Sequence, residues 1–116
     1  MIDLLGKDEL PEWFSYPKEY LRAVEQNLID LTPRYLIDRD CVQTRMNGLK
    51  ERYPLKEYVP FALRDDKDDI ACWERGKPGR VVIVHDFAGP GFEERHDHNQ
   101  SWTWFRSAIE ETIVWE

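Results

Sequence analysis

Residues 58–74 read YVPFALRDDKDDIACWE, and this stretch decides the fold. Tyr58, Val59, Phe61 and Leu63 are strand-loving side chains, and Ile70, Cys72 and Trp73 resume the pattern. Between them, Arg64-Asp65-Asp66-Lys67-Asp68-Asp69 has no apolar period and too much charge to bury. Strong β formers on both sides of an Asp-rich break predict a hairpin. Aspartate supports such a connection by bonding the backbone a residue or two further on. Pro60 lacks an amide proton, which suits an edge strand or a strand's beginning.

Downstream, Gly76-Lys77-Pro78-Gly79 is a second turn signal. The run Arg80 to Asp86, RVVIVHD, is the most apolar strand, and its unbroken Val-Ile core predicts a central position. FAGPGFEERHDHNQ follows and reads as a loop rich in glycine and charge. Ser101 is a cap for a closing helix on which Trp102, Phe105, Ile109 and Ile113 form an apolar stripe. Trp104 lies off that stripe, so it is expected either to meet a partner or to be packed by the preceding loop. Trp115 is expected to pack.

Upstream, Trp13 and Phe14 are expected to tuck onto the domain, because such large side chains are costly to leave wet. Pro17 suits a first helical position. Tyr20, Leu21, Val24, Leu28 and Leu31 recur at helical spacing, predicting an amphipathic helix from Pro17 to about Asp30. Pro33 closes it, and Tyr35-Leu36-Ile37 reads as a brief extended piece. Val42, Met46, Leu49 and Tyr53 predict a second helix from about Asp40 to Arg52, stopped by Pro54. Gly48 inside it costs about 1 kcal/mol against alanine. Helices, then strands on hairpin-length connections, then a helix make an α+β fold: an antiparallel sheet packed by N-terminal and C-terminal helices.

The 116 residues suit one domain, 1–116, with a core that needs no staples. The net charge of −7 disfavours direct nucleic-acid binding and favours a basic protein partner. Cys41 and Cys72 form no Cys-x-x-Cys and read as buried thiols in a reducing compartment. With no basic leader or membrane-length apolar run, the expected location is cytoplasmic.

The motifs argue against chemistry. Asp65, Asp66, Asp68 and Asp69 lack the glycine and the closing glutamate of a calcium loop, whose twelfth position falls on Gly76. His85, His96 and His98 could be drawn together as a metal cluster, but His96 and His98 fall in the polar loop with no cysteine near. There is no Gly-x-Ser-x-Gly and no phosphate loop, and no carboxyl pair is marked as desolvated. The expectation is therefore no catalytic residue, no metal and no cofactor. The expected protein-binding residues are Asp65, Asp66, Asp68, Asp69, Glu93, Glu94 and Trp104.

Several phrases together resemble the SUKH superfamily, the Smi/Knr-type domain. They are Tyr53-Pro54, Val59-Pro60-Phe61-Ala62, Asp68-Asp69-Ile70-Ala71-Cys72-Trp73, Val81-Val82-Ile83-Val84-His85-Asp86 and the aromatic closing helix from Ser101 to Trp115. The likeness runs from about Tyr16 onward, with Lys67 standing among aspartates where the family has small or polar residues. It implies an α+β fold and a role like that of bacterial immunity proteins, which neutralise toxins, often nucleases, of polymorphic toxin systems. It also implies two alternatives to weigh against a small metal-dependent enzyme: toxin neutralisation, or an intracellular regulatory protein-binding module. It carries across no catalytic residues.

Overall fold

A computed structural model describes residues 2–89, 91 and 93–115, with the side chains of 95–97 outside the description. Among the described residues six strands run in chain order across one sheet, and every neighbouring pair is antiparallel. They are β1 (Asp30–Leu31), β2 (Arg34–Leu36), β3 (Tyr58–Arg64), β4 (Asp69–Glu74), β5 (Val81–His85) and β6 (Glu94–His98). The helices are α1 (Lys18–Glu25), α2 (Arg39–Arg52) and α3 (Ser101–Val114). The fold is α+β, and the expected β3–β4 hairpin is present with Tyr58 paired to Glu74.

Both faces of the sheet are buried. On one, Val59, Phe61, Trp73, Val81 and Ile83 pack with Tyr20 and Val24 of α1 and with Trp104, Phe105 and Ala108 of α3. On the other, Tyr58, Leu63, Ile70, Cys72, Val82 and Val84 pack with Val42 and Leu49 of α2. Alternate side chains of a strand point to opposite faces, which is why β5 had to be apolar throughout. Phe61 and Ala62 share a face because the register of β3 shifts between Pro60 and Ala62, a bulge. β2 pairs only with Ala62 to Arg64. At Pro60, β3 is therefore locally an edge, the condition a proline requires.

Trp73 is the hub of the first face. Its indole stacks on Phe61 at 4.2 Å and on Phe14 at 4.9 Å, with Tyr20 edge-on at 5.0 Å. Trp13 and Phe14 are thus tucked against the core as expected.

Five expectations are corrected. First, α1 stops at Glu25, because Asn27 adopts a left-handed backbone and the Leu28 amide turns back to the Ala23 carbonyl. Leu28 is left exposed and Leu31 belongs to β1. Second, residues 94–98 are the edge strand β6 and not a loop; they pair through backbone along Val81 to Val84, which no apolar pattern reveals. Third, α3 offers two apolar flanks, and the sheet takes the one with Trp104, Phe105, Ala108 and Ser101. The small side chains of Ser101 and Ala108 let the helix come close, and both are wholly buried. Trp102, Ile109 and Ile113 consequently face outward, and Ser101 is inside the helix, one residue after the cap position at Gln100. Fourth, Trp115 is exposed. Fifth, Cys72 is buried but Cys41 is only half-buried; both are free thiols.

Candidate functional site

The β1–β2 turn, the β3–β4 turn and the segment after β5 lie at one end of the sheet. The Asp65 amide donates to the Pro33 carbonyl at 2.8 Å, and the Asp86 amide donates to the Asp68 carbonyl at 2.9 Å. The acidic turn is thereby clamped on both sides, so its carboxylates are presented from a fixed frame. It borders a polar hollow of about 320 Å³, lined in part by Tyr35, Arg45, Asp65 and Asp68.

The four aspartates are not equivalent. Asp66 is held by the Arg64 guanidinium at 2.8 and 3.1 Å, and these bonds keep its carboxyl below the ordinary range. Arg64 also reaches Glu111 of α3 at 3.0 and 3.1 Å, and Arg34 joins the same carboxylate. Asp69 is half-buried, with its Oδ1 3.1 Å from His85 Nδ1. Asp65 and Asp68 are exposed, and among the described residues neither carboxylate has a side-chain partner. The free negative charge of the turn is concentrated on these two.

The other expected contact residues lie elsewhere. Trp104 is only 1% exposed and sits edge-on to Phe61 at 4.9 Å, so it is core and not contact surface. Glu93 is 3% exposed, and its carboxylate accepts the Gly91 amide at 2.7 Å. It braces its own loop and presents no charge to a partner. Glu94 points into the α2 side of the sheet, where Lys56 Nζ (2.6 Å), Tyr58 Oη (2.7 Å) and Lys77 Nζ (3.0 Å) all donate to it.

That last cluster holds a carboxyl pair the sequence did not disclose. Glu74, at the end of β4, is buried beside Glu94, with Lys77 Nζ 3.3 Å and Lys56 Nζ 4.0 Å from its carboxylate. Burial and the neighbouring carboxylate both push the Glu74 carboxyl up. Burial acts on Glu94 in the same direction, but donors from Glu74, Lys56, Tyr58 and Lys77 overcome it and hold Glu94 down at about 2. Lys77 Nζ stands 3.3 Å from Glu74 Oε1, close enough to pair charge but outside hydrogen-bonding geometry. The two carboxyls are thus pushed in opposite directions, Glu74 up and Glu94 down. The two residues lie twenty positions apart, and only the register of β4, β5 and β6 unites them.

A second missed group is Asp86, wholly buried beneath α2. Arg52 grips it with Nε at 2.7 Å and Nη2 at 2.6 Å, and the Phe87 amide donates to it at 2.9 Å. Phe87 has a left-handed backbone (φ 67°), and its ring lies 4.4 Å under the Arg52 guanidinium.

His85 and His98 are not gathered. His85 is at one end of β5 and His98 pairs with Val81 at the other, about 13 Å away by strand rise. The His96 side chain is outside the described residues. Among the described residues no group of three His, Cys, Asp or Glu is placed to hold a metal, and no helix is long and apolar enough to cross a membrane. Comparisons with protein-family models, with curated proteins and with solved structures each return no match.

Proposed function

We propose that this chain is a non-enzymatic binding protein whose acidic hairpin end meets a basic protein, and that its role is the one the SUKH resemblance implies, neutralisation of a toxin. The observation that carries the reading is the clamped turn, on which Asp65 and Asp68 stand exposed with no side-chain partner among the described residues, while Asp66 and Asp69 are already paired. A nuclease toxin is basic where it holds phosphate. A fixed pair of carboxylates imitates two phosphates without the entropy cost of ordering a loop. Electrostatic complementarity of this kind speeds encounter more than it adds affinity.

The test uses a toxin domain encoded beside this chain, with association followed by stopped flow. Asp65→Asn/Asp68→Asn is expected to slow association on the order of tenfold at low salt and to flatten its salt dependence. Asp66→Asn/Asp69→Asn is expected to change the rate much less, because those charges are already answered. Unchanged association by the first variant at low salt would move the contact surface elsewhere. The absence of a toxin gene beside this one would favour the regulatory-module reading.

A further inference from the structure

The sheet takes Phe105 from the stripe that periodicity picks out on α3, but the domain leaves Trp102, Ile109 and Ile113 outside. Trp102 is 54% exposed and Ile113 is 75% exposed, with Ile109 between them on the same flank. Positions 102, 106, 109 and 113 step by four, three and four, so they line one side of the helix. Arg106 fills the remaining place, and its Nε lies 3.5 Å from Glu110 Oε1, both side chains mostly in water. A helix whose inner flank is core and whose outer flank carries a tryptophan and two isoleucines has more apolar surface than one sheet can take.

The order along this flank is self-complementary. Reading forward it runs aromatic, cation, aliphatic, anion, aliphatic: Trp102, Arg106, Ile109, Glu110, Ile113. Laid antiparallel against a second copy about a twofold axis near Ala108, Trp102 comes level with Ile113 of the other helix. Arg106 comes level with Glu110, and the same pairs recur on the other side of the axis. The two apolar ends are about 16 Å apart, three turns of helix. An isologous contact demands this property, that one patch match itself after rotation by half a turn. A basic partner would gain nothing from Arg106 at its centre.

We propose that the outer flank of α3 is a homodimer interface, formed by antiparallel packing of α3 on α3 from a second copy. The flank shares no residue with the acidic turn, although Glu111 on the same helix bonds the Arg64 that holds Asp66. A single helix pair buries less than a standard interface, so the dimer is weak, with half-association on the order of 100 μM chain.

Sedimentation velocity over a concentration series tests this. Wild type is expected to shift from monomer to dimer as concentration rises. Trp102→Glu/Ile113→Glu is expected to stay monomeric with an unchanged thermal midpoint, since both side chains are already wet. Arg106→Glu alone and Glu110→Arg alone are each expected to abolish the dimer by setting like charges level with one another. Mixed one to one, those two variants are expected to recover it, because every cross-pair is then opposite in sign. A wild type that remains monomeric at 1 mM, a dimer that survives Trp102→Glu/Ile113→Glu, or no recovery on mixing would each overturn the proposal.

Discussion

Trp73 Nε1 donates to Ser101 Oγ at 2.9 Å, and this one bond ties the middle of the sheet to the first turn of α3. Both residues are buried, so neither group has water as an alternative. Ser101→Ala leaves an indole N–H without an acceptor and is expected to cost about 1–3 kcal/mol in urea melts. Trp73→Ala also empties the stack against Phe14, Phe61 and Tyr20, and is expected to cost about 3–5 kcal/mol. A loss under 1 kcal/mol for Trp73→Ala would mean the aromatic stack does not hold the first face together.

Gly48 lies inside α2, where alanine would ordinarily gain about 1 kcal/mol. Here a Cβ would come within 2.7 Å of Arg52 Nη2. The guanidinium cannot give way freely, because it grips the buried carboxylate of Asp86 and covers the Phe87 ring. Gly48→Ala is therefore expected to destabilise by about 1–2 kcal/mol, since a displaced Arg52 leaves a buried charge poorly paired. In an Arg52→Ala/Asp86→Asn background the same change is expected to stabilise by about 0.5–1 kcal/mol. The reversal of sign across the double-mutant cycle is the measurement that checks it.

The β3–β4 hairpin, β5 and α2 were legible from sequence. The three strands are dense in apolar side chains because both faces of the sheet are covered, and α2 carries its apolar residues at helical spacing. α3 misled because it has two apolar flanks, and periodicity cannot say which one the sheet takes; the small residues Ser101 and Ala108 were the available clue. β6 was invisible because Glu94 to His98 pairs by backbone and carries no apolar signal. β1 and β2 are too short to show a period. The acidic turn was found, but the division of its four aspartates into two paired and two free depends on Arg64 and His85, whose reach no spacing encodes. Glu74 with Glu94, and Arg52 with Asp86, are made by sheet register and helix placement, from residues 20 and 34 positions apart. Such pairs are unreadable before the fold is in hand.

The two thiols should separate cleanly. Burial pushes the Cys72 thiol far up, and the nearby carboxylates of Asp86, Glu74 and Glu94 add to this. Cys41 lies at the start of α2, half-buried. The thiolate is the reactive form, so a thiol reagent at pH 8 is expected to modify Cys41 in the folded protein and Cys72 only after unfolding. Mass spectrometry of the labelled peptides gives the answer. Comparable native-state labelling of both residues would show that the α2 side of the sheet opens readily.

The Glu74–Glu94 pair makes opposite contributions to stability as pH changes. Glu94 is held near 2 against an ordinary 4.5, so its contribution is present above pH 4.5 and is lost as pH falls toward 2. Glu74 is raised above 4.5, so its contribution is present below that pH and is lost as pH rises through its raised value. Glu74→Gln keeps a donor for Glu94 and removes the buried charge. It is expected to be nearly neutral at pH 4 and stabilising by about 1 kcal/mol at pH 8, a rise in thermal midpoint of about 4 °C for a domain this size. Glu94→Gln strands Lys56, Lys77 and Tyr58 and is expected to cost about 1–3 kcal/mol at pH 7, a gap that closes as the wild type is taken toward pH 2. Thermal melts of the three proteins from pH 3 to 8 measure both slopes. If the Glu74→Gln curve runs parallel to wild type across that range, the Glu74 carboxyl is not raised by its surroundings.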